Sequence, residues 1–223
     1  MDSPNSADYQ GNSLLGIDCV TKNNCYAVGS HTTGDGLFSI GQDATLAQRW
    51  NGTSWSILAS PSASLDTNIL QGIACTSASK CWAVGYYNPG NDVVLGNPGQ
   101  TLIERWDGNS WAIDSSAANP RTGQLKSIAC VSPSECWAVG EQDDHYDPAL
   151  TAMNVTSSLI ERWDGNSWNV FPSPNVSGPF DNRFRSVACG SSECWAVGDY
   201  TEVDLNTGGR LVSRTLIVHY AKP

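Results

Sequence analysis

Apolar residues come along this chain in short bursts, rich in β-branched and aromatic side chains and closed off by Gly, Asn, Asp, Ser or Pro, and nothing in it has a helical period. Bursts of that length and composition read as strands. They also recur. LLGIDC (14–19), LQGIAC (70–75), LKSIAC (125–130) and FRSVAC (184–189) are four copies of one segment. Each leads into a second segment, which opens at Cys25 as CYAVG and at Cys81, Cys136 and Cys194 as CWAVG. After a long variable stretch comes a third, ending at Trp50, Trp106, Trp163 and Tyr220, with a period of about 57 residues. A fourth segment begins at Trp55, Trp111 and Trp168, just after Asn-Gly or Asp-Gly, and the last repeat lacks it.

The pairs Asn51-Gly52, Asp107-Gly108 and Asp164-Gly165 tolerate positive φ, so the third and fourth segments are expected to form a tight hairpin. The first and second segments predict another, closed by a cysteine pair. Four strands in a unit of about 55 residues is the sequence picture of a propeller blade. The expected fold is therefore all-β. It is a single β-propeller domain over residues 1–223, with four blade-like repeats at about 14–58, 70–114, 125–171 and 184–220, each a four-stranded antiparallel blade with a local disulfide. The tandem Cys-x5-Cys-Trp-Ala-Val-Gly, the Leu-Ile-Glu-Arg-Trp-Asp-Gly-x-x-Trp that follows it, and Ser173-Pro174-Asn175 together resemble a repeat of secreted and cell-surface proteins of soil bacteria. The resemblance covers nearly the entire chain. It implies a β-propeller-like fold and an extracellular or cell-surface location, and carries over no site residue.

Charge narrows the partners. The formal net charge is −10, from 12 Lys and Arg against 22 Asp and Glu, which repels a phosphate backbone and argues against nucleic acid. No apolar run approaches the roughly 20 residues of a membrane helix, so membrane insertion is not expected. The start, Met1-Asp2-Ser3-Pro4-Asn5, has neither the basic nor the apolar region of a signal peptide, and the expectation is a mature or excised region of an exported protein.

All eight cysteines sit at repeat positions, pairing as Cys19 with Cys25, Cys75 with Cys81, Cys130 with Cys136 and Cys189 with Cys194. A hairpin holds such flanking residues opposite each other, within reach of a disulfide, and the even count leaves no thiol over. The spacings are not those of a zinc site. Persistent disulfides place the protein in an oxidising, extracellular setting. The nine tryptophans invite a glycan-binding reading, because aromatic rings stack on sugar faces. Residues repeated once per blade more simply pack blade on blade. The recurring Arg49, Arg105 and Arg162 likewise suggest a repeated hydrogen bond or ion pair, not a catalytic set.

The variable stretches, Ser30 to Ala44, Tyr86 to Gln100, Glu141 to Ser157 and Asp199 to Arg214, are expected to emerge on one face as long loops, where binding residues concentrate. Candidate ligand-binding residues there are Tyr86, Tyr87, Asp143, Asp144, His145 and Asp147. The oxygens of the acidic run suit Ca²⁺, but no calcium-loop motif is present and a solvated acidic turn is the simpler explanation, so no cofactor is expected. Acid–base pairs such as Asp144 with Asp199 or Glu202 keep a glycoside hydrolase or lyase in view. His31, His145 and His219 occupy three different repeat positions and signal neither a triad nor a metal centre. No catalytic residue is assigned. Asn51, Asn154 and Asn175 match the glycosylation sequon.

Ser3-Pro4-Asn5 matches Ser173-Pro174-Asn175, the link after a fourth strand, while the last repeat stops at its third. The gap is expected to be filled by a divergent N-terminal stretch, by a neighbouring copy through strand addition, or by residues beyond this chain. The leading expectation is a non-catalytic extracellular or cell-surface module for recognition or adhesion, of a glycan or a surface protein. Its alternative is a structural protein that forms a homo-oligomer or filament at the open edge.

Overall fold

A computed structural model describes residues 3–6, 11–33, 42–90, 99–115, 122–145, 155–176 and 181–221. The first sheet comprises β1 (Asn12–Thr21), β2 (Asn24–Thr32), β3 (Asp43–Trp50) and β4 (Trp55–Leu58). The second has β5 (Asn68–Ser77), β6 (Lys80–Tyr87), β7 (Gln100–Trp106) and β8 (Trp111–Asp114). The third has β9 (Gly123–Ser132), β10 (Glu135–His145), β11 (Val155–Trp163) and β12 (Trp168–Val170). The fourth has only β13 (Asn182–Cys189), β14 (Glu193–Asp204) and β15 (Arg210–Ala221). Every sheet is antiparallel, with strands in chain order. A 3-10 turn at Leu205–Thr207 is the one helical element among the described residues. No described helix is long and apolar enough to cross a membrane.

Both predicted hairpins form in each of the first three repeats. Between the third and fourth strands, Asn51, Asp107 and Asp164 each accept the amides two and three residues on, at 2.8–2.9 Å. Gly52, Gly108 and Gly165 follow at φ of 97–99°, a conformation that costs glycine nothing. These hydrogen bonds hold the exposed Asp107 and Asp164 carboxyls below the usual carboxylate range. Between the first and second strands all four disulfides form, as paired in the sequence. Each joins direct cross-strand partners, with Cα atoms 3.9–4.1 Å apart, closer than the usual separation of a disulfide. Narrow pairs of an antiparallel ladder bring Cα atoms to roughly 4.5 Å, which accounts for most of the difference. Four disulfides are the bonds of an oxidising compartment.

The last repeat departs from the expected pattern. In place of a loop from Asp199 to Arg214, β14 and β15 run on as a ladder to Asp204 and from Arg210. Val203 opposes Leu211, Arg214 Nε donates to Glu202 Oε1 at 2.7 Å, and Asp204 accepts the Asn206 amide at 2.9 Å. Gly208 and Gly209, at φ of 81° and 82°, close the turn. Alternating β-branched residues outweigh the polar composition that reads as loop.

Sheets pack face to face in chain order, first on second, second on third, third on fourth, with β1, β5, β9 and β13 side by side. Three apolar clusters fill the three joints. Six of the eight tryptophans of the first three repeats lie in these joints, as blade-on-blade packing expects, whereas Trp50 and Trp55 of the first repeat are half-buried and pack on each other. In the joint between second and third sheets, Trp82 meets Trp163 and Trp168 with ring centroids 4.7 and 5.2 Å apart. The first strands approach closely enough that a Cβ on Gly16 would lie 3.1 Å from the Gln71 carbonyl, and one on Gly72 would lie 3.1 Å from Ser127 Cα. Ser3–Ser6 rests on the first sheet, where Pro4 accepts from Gln48 Nε2 at 2.7 Å. It does not lie beside β15, whose outer edge has no partner strand among the described residues.

Candidate functional site

In every sheet the first strand carries an extra residue beside the CYAVG or CWAVG segment of the strand it pairs with. The register slips opposite the glycine of the CYAVG or CWAVG segment, and the extra residues are Leu15, Gln71, Lys126 and Arg185. A bulge of this kind bends the strand and re-aims its extra side chain. In the third and fourth sheets the re-aimed side chains are cations, and each meets an acid that directly follows the glycine on the second strand. Lys126 Nζ lies 3.4 Å from Glu141 Oε1, and Arg185 Nε donates to Asp199 Oδ1 at 2.8 Å.

Glu141 also reaches across the joint, with Oε2 3.6 Å from Arg183 Nε on β13. Arg183 is paired in turn with Asp181. On the other side, Lys126 Nζ sits 5.7 Å from the centre of the Tyr86 ring and contacts Gln124. The result is a polar chain over three sheets, from Tyr86 through Lys126 and Glu141 to Arg183 and Asp181. It lies toward the end of the sheets from which the variable segments leave. Burial pulls the Lys126 ammonium below the ordinary lysine value, while the charge and hydrogen bond of Glu141 hold it up. Burial likewise raises the Tyr86 phenol, helped by the charge of Asp43.

Tyr86 and Asp143, both expected from sequence, therefore belong to one region. Tyr86 joins this chain, whereas Tyr87, pointing to the opposite face, packs against the apolar cluster between the first and second sheets. Asp143 ties the strand to the link before it: it accepts from Thr122 Oγ1 at 2.6 Å, and its amide donates to the Thr122 carbonyl at 2.9 Å. Burial raises its carboxyl, and the charges of Glu141 and Asp181 add to that rise against the Thr122 hydrogen bond. Asp144 and His145 continue β10, with His145 paired to Val155. Asp147 and Asn154 lie outside the described residues. Asp199 and Glu202 are each held by their own arginine, Arg185 and Arg214. The Asn51 side-chain oxygen is spent on the amides of its own turn, and that of Asn175 on the Ser158 amide of β11 at 2.9 Å.

Lys126, Glu141, Arg183, Arg185 and Asp181 are the residues that the sequence reading passed over. The signal was there. Aligned across repeats, the bulge position reads Leu15, Gln71, Lys126, Arg185 and the position after the glycine reads Ser30, Tyr86, Glu141, Asp199. A cation appears in the first column only where an acid appears in the second.

Chemically the chain is a set of mutually neutralising pairs, suited to clamping sheets together beneath the variable segments. Among the described residues no three His, Cys, Asp or Glu side chains are grouped to hold a metal ion. At the opposite end, between the second and third sheets, a groove of about 370 Å³ is lined by Trp82, Trp106, Trp163 and Arg105. Arg105 lies over the Trp82 ring at 5.7 Å. Comparison with known proteins yields no matching family model and no curated protein of significant similarity.

Proposed function

We propose that this chain is a non-catalytic recognition or adhesion module of the extracellular space, built as a propeller-type array of blades, and that it binds glycans at the end carrying its variable segments. One observation carries the reading. Segments 33–42, 88–99 and 146–154 all leave second strands and enter third strands of sheets whose first strands lie in step, so they emerge at a common end. They differ in length and in most of their sequence, while the scaffold beneath them keeps its cysteine pair, Ala-Val-Gly and Arg-Trp at the same positions in all three repeats. At the other end the turns are short and alike. Variable segments on a fixed, stapled scaffold are where binding residues belong. The ionic chain from Tyr86 to Asp181 supports the reading, since it fixes sheet against sheet directly below that end. The disulfides support export.

The test is a glycan array probed with the fluorescently labelled protein and with three variants, in which residues 34–41, 91–98 or 146–154 are replaced by Gly-Ser sequence of equal length. A discrete set of bound glycans, lost in at least one variant while the thermal melt is unchanged, is the expected result. An array with no specific binding, or binding that survives all three replacements, rejects the reading.

A further inference from the structure

Every internal joint uses the same two faces. The leading face of a sheet presents the aromatic residue of its second strand, the valine two residues on, and a residue from the third strand. In the first sheet these are Tyr26, Val28 and Ala47, in the second Trp82, Val84 and Ile103, and in the third Trp137, Val139 and Ile160. All nine are buried, because the trailing face of the next sheet covers them. That trailing face opens with two residues of the first strand: Leu70 and Ile73, Leu125 and Ile128, Phe184 and Val187, all six buried as well.

The fourth sheet carries the leading face at the same positions, and no described sheet packs on it. Trp195 is 44% exposed, Val197 41% and Ile217 64%. The face is nonetheless built as a joint. In the third sheet Arg162 lies 5.1 Å over Trp137 and pairs with Glu135 at 3.2 Å. In the fourth, His219 stacks on Trp195 at 4.4 Å and lies 3.0 Å from Glu193. Because β14 and β15 pair without a break, Val203 and Leu211 fall on this same face, both exposed. The complement is open too. On the trailing face of the first sheet Leu14 is 40% exposed and Ile17 63%, where their counterparts in the other three sheets are buried.

We propose that the first sheet of a second copy of this chain seats on the fourth sheet, repeating the internal joint head to tail. The partner surface is specified by the molecule itself, since the three internal joints show which face the leading face accepts. This contact buries side chains face to face and differs from the backbone pairing at an open edge that the sequence suggested. Head-to-tail contacts make a ring if the rotation closes and a filament if it does not. The proposal is independent of any ligand at the variable end.

Sedimentation equilibrium from low micromolar to submillimolar protein tests it, with Ile17→Glu and Ile217→Glu as variants. Both side chains are mostly exposed in the single chain, so circular dichroism is expected to show native folding in each. Wild-type mass is expected to rise with concentration. Each variant alone is expected to stay monomeric, because every contact needs both faces, and an equimolar mixture is expected to form dimers through the one intact pair. A wild-type protein that stays monomeric throughout overturns the proposal. So does an Ile17→Glu variant that associates like wild type, which would mean that fourth sheets pair with each other.

Discussion

Glu104 shows how one position is used differently from repeat to repeat. The column reads Gln48, Glu104, Glu161, Val218, and the first three are fully buried. Gln48 donates to the link residue Pro4, and Glu104 accepts from the link residue Ser60 at 2.7 Å, so the position pins the incoming link to the sheet. A carboxyl does this at a cost. Burial pushes Glu104 up to about 8, against the hydrogen bond from Ser60. Between the ordinary carboxyl value of 4.5 and about 8 the folded chain keeps a proton that the unfolded chain releases. Stability from this group is therefore full at acid pH and is lost as pH rises through that window. Glu104→Gln, which copies the first repeat, is expected to flatten the fall in Tm toward alkaline pH and to stabilise the protein at about pH 9 by on the order of 3 kcal/mol. Thermal melts across the range check this, and an unchanged slope contradicts it.

Among the strands, the glycine that ends CYAVG and CWAVG is explained by the bulge opposite it. A Cβ on Gly29, Gly85 or Gly140 would lie 1.9 Å from a carbonyl oxygen of the first strand, and on Gly198 1.8 Å. No adjustment of a side chain relieves a clash with backbone. Gly85→Ala is expected to lose about 3 kcal/mol or more in urea denaturation. Gly190→Ala, whose nearest neighbour would be 3.9 Å away, is expected to stay within about 0.5 kcal/mol of wild type. Equal effects at the two positions would remove the bulge as the reason for the repeated glycine. The glycine was legible in the sequence as a repeated letter, and so were the hairpins and the disulfides, because turn chemistry and cysteine spacing are local. Its reason was not, since a bulge is a relation between two strands. The same slip hid Lys126 and Arg185, whose direction follows from the extra residue and not from simple alternation. The long hairpin of the last repeat is not legible because Asp204, Asn206, Gly208 and Gly209 read as loop, whereas the pairing of Glu202 with Val212 and Val203 with Leu211 is a relation across the turn.

Taken together, the four sheets are one joint repeated three times, with the two halves of a fourth left uncovered. Repetition was plain in the sequence, but which copies are covered was not, because Trp195, Val197 and Ile217 carry the same apolar pattern as their buried counterparts. The candidate site was legible only in part for a related reason. Tyr86 and Asp143 stand at the mouths of variable segments, whereas Lys126, Glu141 and Arg183 come together only when one sheet is laid on the next.

The most direct test of this architecture is hydroxyl-radical footprinting of the dilute protein, read by mass spectrometry at three equivalent tryptophans. Trp195 is expected to be oxidised readily, while Trp82 and Trp137, each 5% exposed, are protected. If Trp195 is as protected as the other two in a chain shown to be monomeric, the fourth sheet is covered from within, and the open ends described above do not exist.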